Sequence, residues 1–574
     1  MIMITPEPGN RPAPASREAA RRPPSFRSPG GAPGTLTAVP HADQSQTTQK
    51  GAPVTYPGPP RPAEVSATPL ADLAAQLGVT TPEAAPAASG DIAVTGITHD
   101  SRAVRPGDLY AALPGARVHG ADFAAQAASL GAVAALTDPA GAQRVTDAGL
   151  AALVVDNPRA QMGELAATIY GHPGRDLLQI GITGTSGKTT TAYLVEGGLR
   201  TVRNTGLIGT VEMRIGDERI KSERTTPEAT DLQALFAVMR ERGVDAVAME
   251  VSSHALVLGR VDACVFDVAV FNNLSPEHME FHSGMEDYFQ AKAQLFTRER
   301  SKQGVVNFDD EYGRRLVAEC AERDYPVVTF SAEGHPDADW RAEDVEVGAL
   351  GSTLTVVGPK GERIAAEAPI AGPFNVANTL AAIVTLAVAG IDPQTAADGV
   401  AAVSGVPGRL ERVDAGQPYL AVVDYAHKTD AVESVLRALR KVTENKLHIV
   451  LGCGGDRDKT KRMPMGAAAA RYADTAILTS DNPRSEDPLA ILATMLMGAA
   501  DVPSHERGEV QVFEDRAAAI AAAVARAEPG DTVLVAGKGH EQGQDIAGVV
   551  RPFDDRLVLR AAIEATVDNQ KTQG

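Results

Sequence analysis

Apolar and polar positions fall into three successive patterns along this chain. Over residues 67–174 the apolar runs are short. Strands are predicted at Val94–Thr98, Asp108–Leu113, Ala132–Thr137 and Ala152–Val155, with a helix over Ala121–Leu130 between them and an amphipathic helix over Pro69–Leu77 in front. Over 175–404 apolar runs alternate with helical patterns: strands at Leu177–Ile182, Ala246–Val251, Val265–Phe271 and Gly304–Phe308, helices at Asp231–Arg242 and Met285–Arg298, and an Ala- and Leu-rich helix at Asn375–Ala389 after Gly372. Such alternation predicts a mainly parallel sheet covered on both faces. Over 405–574, three apolar strands, His448–Leu451, Ala476–Thr479 and Thr532–Val535, each run into a polar motif. The expected fold class is α/β in three domains, the last Rossmann-like. Residues 1–66 are rich in Pro, Gly, Ser and Arg and carry little periodicity, so they are expected to form a disordered extension.

Composition narrows the possible classes. Hydrophobic residues make up 44% of the 574, enough for several cores. A formal net charge of −19 argues against a nucleic-acid partner, because no broad positive field would attract a phosphate backbone. The three cysteines, Cys264, Cys320 and Cys453, are far apart, which gives neither a disulfide framework nor a zinc-ligand spacing and suits a reducing cytoplasm. No apolar stretch reaches membrane-spanning length and no apolar signal segment opens the chain, so neither a membrane partner nor secretion is expected.

The chemistry enters at Gly181-Ile-Thr-Gly-Thr-Ser-Gly-Lys188-Thr-Thr-Thr191. An apolar strand precedes it and Ala192-Tyr-Leu-Val-Glu reads as the start of a helix. Strand, glycine-rich turn and helix N-terminus make a phosphate cradle of backbone N–H groups and helix dipole. Lys188 could reach the outer phosphates and Thr189 could ligate Mg²⁺. The run departs from the common G-x-x-x-x-G-K-[ST] pattern, since the place of the first Gly is taken by Ile182; what stands is Gly184, Thr185, Ser186, Gly187, Lys188, Thr189 and Thr190. The middle domain is therefore expected to be a mononucleotide-binding unit. Glu250 ends a strand of the same sheet, where a carboxylate could hold a metal or be a solvated strand-end acid. His278, in Asn273-Leu-Ser-Pro-Glu-His278, could add a metal contact or be an ordinary structural histidine. By pattern alone Lys292 is a plain helix lysine. The polar motifs Gly452-Cys-Gly-Gly-Asp-Arg457, Asp481-Asn-Pro-Arg484 and Gly537-Lys-Gly-His-Glu541 follow three strand ends, which predicts one shared ligand site.

Together with Met249–His254, Tyr288–Lys292, Asn375–Asn378, Gly408–Arg412 and Asp424–His427, these runs stand in an order that resembles the Mur ligases over residues 95 to 565. That family comprises ATP-dependent amide-forming enzymes of peptidoglycan precursor synthesis. The resemblance implies a UDP-sugar-binding first domain, an ATPase middle domain and an amino-acid-binding last domain. It implies that Gly184 to Thr190, Asn375, Arg409 and Asp424 bind ATP, and that Thr189, Glu250 and His278 help hold Mg²⁺. It makes Lys292 a carbamylated lysine, whose new carboxylate can meet metal where an ammonium would be repelled. Ser101 would contact the UDP end of UDP-MurNAc-L-Ala-D-Glu, and Thr225, Thr226, Ser252 and Arg260 its muramoyl dipeptide. Arg457, Asp481, Asn482, Pro483, Arg484, Gly537 and Glu541 would hold diaminopimelate, with the Arg484 guanidinium on its distal carboxylate and Glu541 on its distal ammonium.

Two segments differ from the family pattern. Asp424-Tyr-Ala-His427 is followed by Lys428-Thr429, where the family usually has Pro at the second position, and Pro114–Val118 on the UDP side is atypical. The expected reaction forms an acyl phosphate from the D-Glu γ-carboxylate and ATP, which the diamino acid then captures, in the cytoplasm and by a monomer. A lysine-adding or folylpolyglutamate-type ligase is the nearest rival, and a nucleotide-binding regulatory module the rival of another class.

Overall fold

A computed structural model describes residues 59–80, 92–348 and 350–573. The expected extension lies outside these residues except at 59–66, and there the chain is anchored. Arg61 donates to both carboxylate oxygens of Asp108 at 2.7 Å, and the amides of Ala63 and Glu64 donate to Glu241.

The first sheet has four parallel strands in sequential order, Gly96–Thr98, Asp108–Ala111, Ala134–Thr137 and Ala151–Val154. Helix Leu70–Leu77 seals it through Leu70, Leu73 and Ala74, the i, i+3, i+4 stripe of an amphipathic helix. The helix expected at Ala121–Leu130 opens as a 3₁₀ turn, Gly120–Phe123, because His119 caps it by accepting from the Ala121 amide.

The central sheet has eleven strands. From one edge they run Glu218–Lys221, Glu212–Ile215, Thr205–Ile208, Ala246–Glu250, Leu178–Thr183, Val268–Phe271, Gly304–Asn307, Val327–Ser331, Trp340–Val347, Ser352–Val357 and Arg363–Ala368. Pairing is parallel from Thr205–Ile208 to Trp340–Val347 and antiparallel at both edges. Strand Ala246–Glu250 is buried throughout, and its residues divide by parity: Ala246 and Ala248 enter one apolar core, Val247 and Met249 the other. The helix expected at Met285–Arg298 stops at Ala293, where the chain turns so that Leu295 and Phe296 enter the core.

The C-terminal sheet has the order Glu411–Arg412, Leu420–Asp424, Thr532–Ala536, Leu447–Leu451, Thr475–Thr479, Glu509–Phe513, parallel except at its first edge. The sheet's last strand in the sequence, Thr532–Ala536, is inserted between two earlier ones, and the carboxyl ends of the five parallel strands open on one edge. No helix among the described residues is long and apolar enough to cross a membrane.

Candidate active site

Strand Leu178–Thr183 ends in the glycine turn, and helix Lys188–Leu199 begins at once. The helix was expected from Ala192; it starts a full turn earlier, which puts Thr189 and Thr190, both buried, on its first turn. Gly184 (φ +147°) and Gly187 (φ +85°) take backbone conformations that an L side chain resists. Asn273 braces the loop: its side chain accepts from the Ser186 amide at 2.9 Å, and its carbonyl accepts from the Thr185 amide at 2.9 Å. The Thr185 hydroxyl bonds the Ser275 carbonyl and Tyr288.

Two lysines converge on one carbonyl. Lys188 Nζ donates to Gly184 O at 2.8 Å and Thr185 O at 3.0 Å; Lys292 Nζ donates to the same Gly184 O at 2.9 Å. Lys292, read from the sequence as an ordinary helix lysine, is 1% exposed and lies over the Tyr288 ring. Burial and the neighbouring Lys188 push its ammonium well below the usual lysine range. Burial likewise lowers Lys188, against the pull of Glu277 and Glu250.

Glu250 is buried at its strand end. Its carboxylate accepts from the Thr189 hydroxyl at 2.9 Å, the Thr210 amide at 2.8 Å and the Thr210 hydroxyl at 3.1 Å. A buried hydroxyl and carboxylate side by side are hard oxygen donors that fit Mg²⁺, which needs only one or two protein ligands beside phosphate and water. His278 stands apart from this pair. It has φ +59°, is half-exposed, approaches Glu280 at 3.4 Å, and sets its ring edge-on to His254. Burial and the rings of His278 and His282 lower His254 to about 4. Among the described residues no three His, Cys, Asp or Glu side chains form a metal-binding cluster.

The C-terminal sheet reaches into this site. Arg409 donates to the Thr189 hydroxyl at 3.3 Å and lies over the Tyr425 ring. Asp424, raised by burial and partly held down by Arg409, accepts from the amides of Leu410 and Ala426. Asn375, on helix Pro373–Val388, accepts from Asn378 at 2.8 Å, and the Asn378 side chain lies against Gly187.

On the other side of Glu250, Thr226 donates to the Glu250 carbonyl, Ser252 caps helix Ser253–Val257, and the Thr225 hydroxyl meets that of Thr210 at 3.0 Å. Arg260 binds Glu228 at 2.9 Å. Glu228 escaped the sequence reading, yet it is buried and also pairs Arg224 at 2.9 Å and Arg159 at 3.3 Å. Three guanidiniums around one carboxylate leave positive charge for an anionic substrate. The available signal was Thr225-Thr-Pro-Glu228 ahead of helix Ala229–Glu241. Ser101 lies away from this group and donates to Gln126 at 3.2 Å.

A third group of these residues lies at the carboxyl ends of the C-terminal sheet's strands. A Cβ on Gly537 would stand 2.7 Å from the Asp481 carboxylate. Arg484 (φ +52°) donates to the Gly455 carbonyl at 2.6 Å, and its backbone bridges to Asp545 and Ala547. The Pro483 carbonyl accepts from the Glu486 amide. Asn482 donates to Glu541 Oε2 at 2.8 Å, and the fully buried Lys538 donates to Asn482 at 3.0 Å and to Glu541 Oε2 at 2.9 Å. Glu541 thus already carries an internal ammonium, which the sequence reading missed. Arg457 is exposed, and among the described residues no hydrogen bond or ion pair joins it to the other members.

Residues 93–170 match the model of the Mur ligase family, catalytic domain; 182–386 match the Mur ligase middle domain; and 408–539 match the Mur ligase, glutamate ligase domain. The chain belongs to the Mur ligase family. It is 85% identical over 513 residues, 89% of its length and all of the relative's, to a UDP-N-acetylmuramoyl-L-alanyl-D-glutamate–2,6-diaminopimelate ligase of Streptomyces avermitilis. The protein of that name from Corynebacterium glutamicum is 46% identical over 84% of this chain and 94% of its own. A solved structure of a ligase of the same name superposes with TM-score 0.60 at 33% identity, covering 83% of this chain and 96% of that one. As a Mur ligase the chain is an ATP-dependent, ADP-forming amide ligase.

Proposed function

We propose that this Mur ligase joins diaminopimelate to the D-Glu γ-carboxylate of UDP-MurNAc-L-Ala-D-Glu, in the cytoplasm. The observation that supports it most is the contact across the cleft: Arg409, on the turn ahead of strand Glu411–Arg412, reaches Thr189, and the sheet that strand opens carries the Asp481–Arg484 cluster. ATP phosphates and an amino acid held at those strand ends can then meet one acyl group.

In the first step a γ-carboxylate oxygen attacks the γ-phosphorus and the bond to the bridging oxygen breaks, releasing ADP. Gly184 to Thr190 cradle the phosphates, Lys188 spreads charge from the transferred group, and Asn375, Arg409 and Asp424 hold the nucleotide. Thr189 and Glu250 are the residues that would hold Mg²⁺, which would neutralise phosphate charge, while His278, implied by the resemblance as a further ligand, faces Glu280 and His254 instead. The depressed ammonium of Lys292 favours carbamylation: neutral Nζ bonds to the carbon of CO₂, a proton leaves, and a carboxylate results. In the second step the diamino acid's neutral amine attacks the acyl carbon, phosphate departs, and the nitrogen loses a proton. Domain 67–174, through Ser101, takes the UDP end, and Thr225, Thr226, Ser252 and Arg260 take the dipeptide. Domain 405–574 selects the amino acid through Arg457, Asp481, Asn482, Pro483, Arg484, Gly537 and Glu541, while 175–404 works as the ATPase.

The test is ADP release together with product mass. Sustained ADP release should require UDP-MurNAc-L-Ala-D-Glu together with an amine acceptor, with one product per ADP when that acceptor is diaminopimelate. ATP hydrolysis indifferent to both substrates would refute the reading.

A further inference from the structure

Lys428 directly precedes Thr429, where the sequence departs from its family, and the structure gives it an unusual setting. It is the N-cap residue of helix Thr429–Arg440 in the C-terminal sheet's domain, yet its side chain crosses the cleft to Glu277, with Nζ to Oε2 at 3.7 Å. That distance is an ion pair without a hydrogen bond. Nζ is sealed from solvent and has no hydrogen-bond acceptor among the described residues. An ammonium has three N–H donors, and leaving all of them unmade in a buried place is costly. Its surroundings are already cationic, with Lys188, Lys292 and Arg409 sharing the field of Glu277 and Glu250. Glu277 belongs to the Asn273–His278 segment that braces the phosphate loop, and burial would raise it, but Lys428 and Lys188 hold it below the usual carboxylate range. The diamino-acid cluster is tied up elsewhere, with Arg484 on Gly455 and Lys538 on Glu541.

We propose that Lys428 is a further catalytic residue, whose ammonium binds the phosphoryl group as it passes from ATP to the γ-carboxylate. This rests on the ligase reading above. Lys428 transfers no proton. As the carboxylate oxygen bonds to phosphorus and the electron pair of the broken bond leaves with ADP, its N–H donors meet the equatorial oxygens. The lysine arrives with the C-terminal domain, so acyl-phosphate formation is tied to the closure that also delivers the amino acid.

The parent enzyme is assayed first; if it makes no product from diaminopimelate, the ligase reading fails and this inference with it. In an active parent, Lys428→Met should lower kcat, and the rate of acyl-phosphate trapping by hydroxylamine without diamino acid, on the order of 100-fold. The KM for diaminopimelate should stay within about threefold. Lys428→Arg should recover at least about tenfold, because a guanidinium still binds phosphate. The loss should persist in a Glu277→Gln background, where a lysine that only neutralised Glu277 would no longer matter. Lys428→Gln replaces the Met variant if thermal melting shows that one unfolded. A kcat within threefold of the parent, a loss confined to the KM for diaminopimelate, or an Arg variant no better than Met overturns the assignment.

Discussion

The two ends of the cleft treat charge in opposite ways. At the phosphate end, Lys188 and Lys292 share one carbonyl, and Lys428 has an ion pair but no hydrogen bond. At the amino-acid end three buried cations have internal partners: Lys538 with Glu541, Arg462 with Glu486, and Arg516 with Asp555. The first arrangement stores positive potential that a polyphosphate can relieve. The second fixes geometry ahead of a zwitterionic ligand, whose groups must compete with existing pairs. One end is built to attract, the other to discriminate.

The largest effect should come from the attracting end. Lys292→Ala is expected to lower kcat by roughly 1,000-fold or more while leaving the fold intact, measured as steady-state turnover beside a thermal melt. Near-normal turnover would mean that the crowding around Gly184 has no catalytic use. At the discriminating end, Arg516 and Asp555 are both wholly buried, and the Arg516 guanidinium also donates to the carbonyls of Ser480 and Ala536. Those carbonyls immediately precede Asp481 and Gly537. Arg516→Leu is expected to cost about 3–5 kcal/mol in denaturant unfolding, because Asp555 is left buried and uncompensated, and Arg516→Leu with Asp555→Leu should recover most of it. A smaller effect is expected from Arg484→Ala, a rise in the KM for diaminopimelate of about tenfold with kcat little changed. An unchanged KM would remove Arg484 from the discriminating set.

The smallest effect at neutral pH, where it vanishes, concerns the seam between the ends. His540 packs against Tyr425, and burial and the nearby Arg409 push it down to about 3. Its unfolded value is near 6.5, so between about pH 6.5 and 3 the unfolded chain takes a proton that the folded chain refuses. Stability should therefore fall as pH drops through that window, by up to about 1.4 kcal/mol per pH unit, and be unaffected above it. Melting curves of His540→Asn should show a shallower fall below pH 6.5.

The phosphate loop, the parallel sheets and the three strand-end motifs were readable because each is a contiguous run whose period or glycine placement has one physical use. What escaped depends on long-range meetings. Glu228 gathers Arg159, Arg224 and Arg260 from separate segments, and Arg516 finds Asp555 thirty-nine positions away. The meander Trp340–Ala368 escaped because its strands alternate buried and exposed positions among many charged residues. Lys292 looked ordinary because a helix pattern says nothing about a glycine turn 108 positions earlier lying over it. The start of helix Lys188–Leu199 was misplaced because three threonines lower helix propensity, and the loop geometry overrides that preference.

The most direct test of the account is a competition: purified enzyme with ATP, UDP-MurNAc-L-Ala-D-Glu and equal diaminopimelate and lysine, the products resolved by mass. The account expects the diaminopimelate adduct to exceed the lysine adduct by at least about 100-fold and to require ATP. Comparable amounts of the two adducts, or product without ATP, would contradict it.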